Sequence, residues 1–342
     1  MTDERDDEQQ GATPRSPRGI VLSGTGGVWR VRLEDETVVE ASLRGRVKKS
    51  SSGRRADGSL RRDTISAAAD TLKLTIGDHV LLEGDAEGGV WAISEILPRR
   101  SRLARRAPGG GQGERIVAAN VDQVVVVFAA ANPEPHPRML DRFLVIAEAN
   151  GLAARIVINK VELVGGAEAA RARWVDYERA GYPVHYTSVK RAEGLEALHE
   201  VLAGKVSVLT GPSGVGKSSL LNAMFTGLDL RVGEISESVN KGRHTTVGGY
   251  LHPLPGADGG YVADTPGLRE VGMWALSATE LDTCFPELRP FLEGCRFADC
   301  KHSVEPDCAV RAAVSRGDVS RARYESFIKL RDELEASKTA SW

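Results

Sequence analysis

The first quarter of the chain shows the hydrophobic pattern of short strands. From Gly19 to about Leu97, apolar residues come in short runs separated by Gly-Gly and Gly-Asp pairs, and no helical period appears. Such runs predict β-strands joined by tight turns, here at Gly26–Leu33, Thr37–Ser42, Thr71–Leu74, His79–Glu83 and Val90–Ile96. Five short strands in about 80 residues predict a small β-barrel of the OB type.

The middle of the chain alternates between apolar strands and helices. Val121–Ala130 is almost continuously apolar, which is typical of a parallel strand covered on both faces. Further strands are predicted at Arg155–Ile158, Val184–Thr187 and Val206–Thr210, and helices at Met139–Asn150, Glu168–Ala180, Gly194–Leu202 and Lys217–Phe225. This alternation predicts an α/β domain with an open parallel sheet. Beyond Thr279 the pattern is helical and ends in an amphipathic stretch, Val319–Ala336.

These changes of pattern divide the chain, whose 342 residues are too many for one compact core, into several parts. We predict a disordered polar tail (1–18), a barrel that binds RNA (19–98), a basic linker (99–115), an α/β domain (116–276) and a mostly helical C-terminal domain (277–338).

Composition indicates the cellular compartment of the protein. Hydrophobic residues make up 41% and charged residues 27%, which is ordinary for a soluble globular protein. No apolar run approaches the roughly 20 residues of a membrane span, and the polar N-terminus lacks the apolar stretch of a secretory signal. We therefore expect a cytoplasmic protein with no membrane partner.

The net charge of −2 conceals two basic blocks, one within Ala41–Arg62 and one within Arg99–Arg115. Beside a predicted OB barrel, such blocks indicate a surface that binds RNA through its phosphates. The alternative for each block taken alone is a solvated loop or linker.

A phosphate-binding loop follows the strand Val206–Thr210. Gly211–Ser218 matches G-x-x-x-x-G-K-[ST], and a helix pattern begins at its end. Glycines let backbone N–H groups curl around phosphates, the lysine reaches the β- and γ-phosphates, and the serine ligates Mg²⁺. We predict nucleotide contacts from Gly211, Pro212, Ser213, Gly214, Val215, Gly216, Lys217, Ser218 and Ser219. The loop alone does not distinguish ATP from GTP.

Other motifs indicate the base and the metal. Asp264-Thr-Pro-Gly267 is a D-x-x-G sequence, whose aspartate holds Mg²⁺ and whose glycine N–H contacts the γ-phosphate. Thr245 and Thr246 are candidates for the Mg²⁺-binding threonine of a switch loop. At two other strand ends lie sequences of the guanine-reading type, with contacts predicted from Asn159, Lys160, Val161, Glu162, Thr187 and Ser188.

The order of these motifs is a rotation of the usual one. In Ras-like GTPases the phosphate loop comes first and the base-reading motifs come last. Here the base-reading motifs at 159 and 187 precede the phosphate loop at 211 and the D-x-x-G sequence at 264. Chain ends that lie close together allow such a circular permutation without loss of the site.

A metal-binding pattern lies near the C-terminus. Three cysteines and one histidine fall within 14 residues, at Cys295, Cys300, His302 and Cys308. Four soft ligands of this kind suit a closed, tetrahedral structural Zn²⁺, so we predict one zinc ion per chain. The alternative is a chance cluster of structural cysteines. Cys284, further upstream, is predicted to be a buried thiol.

With these motifs, the chain resembles the ribosome small-subunit-dependent GTPases of the RsgA/YjeQ type from about Gly19 to Leu334. Ala119–Val125, Leu140–Leu144 and Gly242–Thr246 add to the resemblance. It implies an OB barrel, a permuted GTPase domain and a zinc-binding domain. It also implies late maturation of the 30S subunit, with 16S rRNA and GTP/GDP as partners and with subunit-stimulated hydrolysis coupled to release. We expect a monomer.

The chain departs from the family at one position, and a second position bears on hydrolysis. Glu162 stands where the family has aspartate; Asn159 and Lys160 are retained, so GTP is still expected over ATP. Leu268 stands where Ras-like enzymes have a water-orienting glutamine. His244 is the candidate replacement, acting together with Lys217 in catalysis, and its alternative role is that of a surface histidine.

Two other functions fit parts of the sequence. A P-loop ATPase or nucleoside kinase would explain the phosphate loop but not the base-reading motifs, and no acceptor-binding lid is evident. An RNA-binding adaptor with a vestigial nucleotide fold would explain the basic blocks but not the intact Lys217, Ser218 and Asp264.

Overall fold

A computed structural model of the protein describes residues 16–44, 73–85, 90–106, 114–230, 249–256, 259–264 and 276–339. The basic insert Lys49–Arg62, most of the predicted tail, and the switch residues His244, Thr245, Thr246 and Gly267 lie outside these ranges.

Thirteen strands and seven α-helices form the described part of the chain. The strands are β1 Arg18–Thr25, β2 Val28–Leu33, β3 Val38–Leu43, β4 His79–Asp85, β5 Val90–Ile96, β6 Arg102–Arg106, β7 Glu114–Ala119, β8 Gln123–Ala129, β9 Ala153–Asn159, β10 Val184–Tyr186, β11 Val206–Thr210, β12 Tyr250–Pro253 and β13 Tyr261–Asp264. The helices are α1 Pro137–Ala149, α2 Ala167–Arg179, α3 Leu195–Leu202, α4 Lys217–Met224, α5 Arg289–Leu292, α6 Ala309–Arg316 and α7 Arg321–Thr339.

The N-terminal strands close into a barrel in the order β1-β2-β3-β5-β4. Strand β3 pairs with β5 in parallel, and β1 pairs with β4 to complete the closure. The predicted five-stranded barrel is therefore confirmed, but two of its strands were predicted wrongly. The sequence reading missed β1, and Lys73 and Leu74 of the expected strand Thr71–Leu74 have no strand structure.

The reason for missing β1 is that both of its faces are buried. Val21 points into the barrel core, whereas Ile20 and Leu22 belong to the core of the neighbouring α/β domain. Three consecutive apolar residues result, and the alternation that marks a half-buried strand is lost.

The central sheet has the order β10-β9-β8-β11-β13-β12 and is parallel except for β12, which pairs antiparallel with β13. All seven residues of β8 are buried. Alternate residues of this strand point to opposite faces, so Val124, Val126 and Phe128 pack with α1 and α2. Val125 and Val127 pack with α3 and α4 on the other face. The predicted open α/β sheet is confirmed.

The connection between the barrel and the sheet is held by polar contacts. Strand β6, which lies in the segment predicted as a linker, pairs antiparallel with β7. The fully buried Asp78 accepts a hydrogen bond of 2.6 Å from Arg99 Nε. Asn120 donates from Nδ2 to the carbonyl of Gly77 at 2.8 Å.

The C-terminal helices α5 to α7 form a separate small core around Phe285, Phe327 and Leu330. Val145 of α1 belongs to the same cluster and joins this region to the α/β domain. Among the described residues, no helix is both long and apolar enough to cross a membrane.

Candidate nucleotide site and metal centre

The phosphate loop begins where the buried strand β11 ends, at Thr210. Gly211 has φ +131°, and a Cβ atom there would lie 2.0 Å from the carbonyl oxygen of Val127 on β8. Only glycine permits this approach of two strand ends. The loop then leads directly into α4, whose N-terminal N–H groups and dipole favour an anion.

Lys217 lies inside the loop, with 5% of its surface exposed. Its Nζ donates hydrogen bonds to the carbonyl oxygens of Gly211 at 2.9 Å and Pro212 at 2.7 Å. Ser218 beside it is also buried, while Ser213 and Gly214 are exposed at the loop surface. The arrangement holds a cation and a hydroxyl at the position where phosphates bind in loops of this kind.

Asn159 joins the base-reading side to the phosphate loop. At the end of β9, its Nδ2 donates to the carbonyl of Val215 at 2.9 Å. Its Oδ1 accepts a hydrogen bond from Thr187 Oγ1 at 3.1 Å. Both ends of one amide thus connect three sequence motifs that are far apart in the chain.

Lys160 makes a second link to the loop. It adopts the left-handed conformation, with φ 61°, and its Nζ donates to the carbonyls of Gly214, at 2.6 Å, and Asn132. Partial burial lowers the pKa of the Lys160 ammonium, and the carboxylate of Glu162 opposes that shift.

Glu162 follows in a short 3₁₀ turn, Val161–Val164. Its Oε2 is buried and has no hydrogen-bond partner among the described residues. A buried carboxylate oxygen without a hydrogen-bond donor destabilises the folded protein, and a ligand that supplies the donor removes this destabilisation. The orphaned acceptor is suited to the N–H donors of a guanine base.

Val161 and Ser188 lie behind this turn. The buried Val161 donates its N–H to the carbonyl of Thr187 at 3.2 Å. Ser188 is buried, and its hydroxyl accepts a hydrogen bond of 3.2 Å from the backbone N–H of Arg191. Val161 therefore holds the two base-reading motifs against each other, whereas Ser188 stabilises the turn that follows the second motif.

Asp264 lies at the end of β13, next to the phosphate-loop strand. Strands β13 and β11 are parallel neighbours, with Ala263 beside Val208. Asp264 is buried, like Ser218. Of the predicted Mg²⁺ ligands, Asp264 thus ends the strand beside β11, and Ser218 lies in the first turn of α4 after the phosphate loop. The other two, Thr245 and Thr246, are outside the described residues.

The four predicted zinc ligands converge in space. The ligand atoms of Cys295, Cys300, His302 and Cys308 all lie within 4.8 Å of one another. His302 Nδ1 lies 3.5 Å from Cys295 Sγ and 3.4 Å from Cys308 Sγ, and the two sulfurs are 3.9 Å apart. Zn–S bonds of about 2.3 Å and Zn–N bonds of about 2.0–2.1 Å in a tetrahedron place neighbouring ligands about 3.5–3.8 Å apart. The group therefore fits a tetrahedral metal ion.

The surroundings fix the histidine ligand. Asp282 Oδ2 lies 3.4 Å from His302 Nε2, on the ring nitrogen that faces away from the sulfurs. Tyr324 of α7 donates to the backbone carbonyl of His302 at 2.6 Å. Partners of this kind orient metal ligands. Cys284 is buried, as predicted, and burial raises the pKa of its thiol to about 11.

Two polar groups of structural importance escaped the sequence reading. One is the carbonyl of Asn132, which binds Lys160. The other is an ion cluster in which Arg323 of α7 binds Asp141 of α1 and Glu287. Asp141 lies one turn before Val145 on the apolar face of α1. A charged residue on an apolar helix face is the feature of the sequence that could have indicated a buried ion pair.

Asn159 and Lys160 contact the phosphate loop although their motif precedes that loop in the chain. This arrangement defines the class of protein as a circularly permuted P-loop GTPase. Comparison with known proteins agrees. The sequence profile of the RsgA GTPase family matches residues 96–274, and the chain belongs to this family.

Relatives match almost the whole chain. Small ribosomal subunit biogenesis GTPase RsgA of Gemmatimonas aurantiaca is 59% identical over 320 residues, which cover 93% of this chain and 98% of that protein. Small ribosomal subunit biogenesis GTPase RsgA 1 of Vibrio vulnificus is 39% identical over 270 residues, covering 78% and 75% of the two chains.

Two solved structures are similar in fold. The crystal structure of YjeQ from Thermotoga maritima is 34% identical, with a TM-score of 0.71, covering 93% of this chain and 98% of that one. The structure of YloQ, described as a circularly permuted GTPase, is 26% identical, with a TM-score of 0.67, covering 98% and 99%. The predicted family, fold class and GTPase activity are therefore confirmed.

Proposed function

We propose that the protein is a GTP-hydrolysing assembly factor for late maturation of the 30S ribosomal subunit. In this proposal it binds 16S rRNA, the subunit stimulates hydrolysis, and hydrolysis is coupled to release. The observation that carries the proposal is the direct bonding of Asn159 and Lys160 to the phosphate loop. It occurs in a chain 59% identical to a protein named for small-subunit biogenesis.

The chain's own residues have distinct roles in hydrolysis. Lys217 stabilises charge on the β- and γ-phosphates, and Gly267 contacts the γ-phosphate through its N–H. Ser218, Asp264 and either Thr245 or Thr246 would hold Mg²⁺, which when bound neutralises the charge that develops on the phosphates. His244 orients the attacking water.

The remaining assignments belong to the same proposal. One structural Zn²⁺ per chain is held by Cys295, Cys300, His302 and Cys308, whose spacing fits it. The barrel and the insert Lys49–Arg62 bind rRNA through phosphates. The domains have the boundaries predicted from the sequence, and the protein works in the cytoplasm as a monomer.

The experiment that tests this function is phosphate release from GTP and from ATP, with and without purified 30S subunits. We expect strong stimulation of GTP turnover and none of ATP turnover. Equal use of ATP would favour the ATPase or kinase alternative. Binding to the subunit without any turnover would favour the adaptor alternative.

Replacing Lys217 by alanine is expected to slow GTP hydrolysis about 100- to 1,000-fold, because a preorganised cation at the transferring phosphate is lost. Single-turnover phosphate release measures the effect. Lys205→Ala is the matched control, since Lys205 lies in the same domain and donates to the carbonyl of Val201 instead. Turnover of Lys217→Ala equal to that of the control would contradict the assignment.

Glu162→Gln is expected to weaken GTP binding about 10- to 100-fold, since one oxygen acceptor becomes an N–H₂ donor facing the donors of guanine. Xanthosine triphosphate, which carries a carbonyl in place of the exocyclic amine, should lose much less affinity. Calorimetric titration with both nucleotides measures the change. Glu162→Asp keeps the charge and serves as the control. Equal losses for the two nucleotides would argue against base reading by Glu162.

His244→Ala is expected to abolish most of the 30S-stimulated turnover while leaving GTP affinity unchanged, because the imidazole acts on water and not on the bound nucleotide. The comparison requires turnover at saturating subunit and a separate binding titration. Stimulated turnover that remains intact would remove His244 from the mechanism.

A further inference from the structure

Two arginines of the barrel contact β12 and β13, the antiparallel strand pair that carries Asp264. The guanidinium carbon of Arg30 on β2 lies 5.9 Å from the ring centre of Tyr250 on β12. Arg32, two residues along β2, lies 5.8 Å from the ring centre of Tyr261 on β13 and donates a hydrogen bond of 3.1 Å to its hydroxyl. Residues two apart in a strand share one face, so a single face of β2 binds both strands.

The two tyrosines lie at opposite ends of the β12–β13 hairpin. Tyr250 is the direct cross-strand partner of Asp264, and Tyr261 is the partner of Pro253. One arginine therefore binds the hairpin next to the carboxylate assigned to the nucleotide site, and the other binds it at the far end. Fixing both ends fixes the tilt of the hairpin against the barrel.

Close packing reinforces these contacts. Gly249 precedes β12, and a Cβ atom there would lie 2.9 Å from Cδ1 of Ile76, a fully buried residue that precedes β4. Ile20 and Ile76 share one hydrophobic core with Leu251 and Ala263 of the hairpin. Packed interiors transmit displacement because they contain little free volume, so the barrel cannot shift far without moving the hairpin.

The two arginines differ in how firmly they are held. Arg32 is half-buried and forms an ion pair of 2.8 Å with Glu36. Arg30 is exposed on the barrel surface, opposite Glu40 on β3. Arg32 therefore acts as the fixed anchor, whereas the guanidinium of Arg30 is accessible to an anionic ligand of the barrel.

We infer that Arg30 and Arg32 are positioning residues that couple the state of the barrel to Asp264 through Tyr250 and Tyr261. The inference rests on the proposed function, because it assigns the route by which a ligand on the barrel changes GTP turnover. Coupling of this kind is reciprocal for binding, so the nucleotide should also alter the barrel.

The first test measures turnover at saturating 30S subunits and subunit affinity separately. Arg30→Ala/Arg32→Ala should lose about tenfold of the stimulated turnover, within the usual range of allosteric coupling, and keep its unstimulated turnover. Tyr250→Ala/Tyr261→Ala should show the same loss although its changes are not on the barrel. Arg179→Ala is the control, since Arg179 is an exposed arginine of α2, outside the barrel and both basic blocks, that pairs with Asp176.

Rescue distinguishes positioning from damage. Tyr250→Phe keeps the ring that receives Arg30, so its stimulated turnover should match the wild-type value. The inference would be overturned if only the arginine variant lost stimulated turnover and if its affinity for the subunit fell as well. Arg30 and Arg32 would then contact RNA without positioning the hairpin. If the wild-type protein is not stimulated at all, the proposed function fails instead.

The second test needs no ribosome. Amide hydrogen exchange of β2 is compared in the GDP-bound and GTP-analogue-bound states. Exchange should differ between the two states in the wild-type protein and not in Tyr250→Ala/Tyr261→Ala. The same exchange in both wild-type states, or an unchanged difference in the variant, would overturn the coupling.

Discussion

Removal of the metal from the group formed by Cys295, Cys300, His302 and Cys308 is expected to unfold the C-terminal region while the central sheet stays folded. Structural Zn²⁺ binding contributes roughly 10–16 kcal/mol in small zinc domains. The region has only a small core of its own, centred on Phe285 and Phe327. His302 and Asp307 also adopt the left-handed conformation. A bound metal ion would therefore stabilise a segment in which two residues adopt an unfavourable backbone conformation.

The measurement combines metal content with amide hydrogen exchange before and after treatment with a strong chelator. We expect one equivalent of zinc, and loss of protection in α6 and α7 once it is removed. Cys308→Ser should reproduce this loss without a chelator. Cys284→Ser is the matched control, because this buried thiol is outside the ligand group and should leave the metal content unchanged. Full protection of α6 and α7 in metal-free protein would contradict the structural role.

Asp141→Ala is expected to lower the free energy of unfolding by about 3 kcal/mol, because it removes one of the two carboxylates that compensate the buried guanidinium of Arg323. Arg323 and Asp141 are exposed by 3% and 1%. Glu287 Oε1 accepts from Arg323 Nε at 2.6 Å, and Tyr177 donates to Asp141 at 2.9 Å. Burial alone would lower the pKa of Arg323, but the carboxylates of Asp141 and Glu287 raise it above its ordinary value.

Urea denaturation measures this loss, and Arg142→Ala provides the control. Arg142 is on the same helix and pairs with Glu333 near the surface, where an ion pair contributes about 0–1 kcal/mol. Replacing all three charges, as in Asp141→Leu/Glu287→Leu/Arg323→Met, should recover most of the stability, since apolar side chains need no compensating charge. A loss for Asp141→Ala no greater than that for Arg142→Ala would show that the cluster does not hold the C-terminal helices to α1.

The cluster gives a structural role to one residue of Leu140–Leu144, a segment that contributes to the sequence resemblance. Leu140–Leu144 looks like an ordinary amphipathic helix when read alone. In the structure, Asp141 receives an arginine that lies 182 residues further along the chain. No local pattern contains that pairing, because it exists only once α7 lies across α1.

Local chemistry determined the features that the sequence could predict. The phosphate loop depends on glycine conformations and on a lysine and serine at fixed spacing. The metal group depends on four soft ligands within 14 residues. The buried strand β8 is apolar throughout because both of its faces are covered. Each of these signals lies within a short segment, so it survives even the rotation of the chain order.

Tertiary structure decided the rest. Strand β1 lost its alternating pattern because the barrel and the α/β domain bury opposite faces of it. The contacts of Arg30 and Arg32 with the β12–β13 hairpin, and the buried oxygen of Glu162, likewise arise where distant segments meet. The sequence by itself determined what chemistry the protein can perform, since that depends on residue types at short spacing. Only the tertiary structure decided how the barrel, the nucleotide site and the metal-binding region are joined. The physical reason is that packing between distant segments produces no periodic pattern in the sequence.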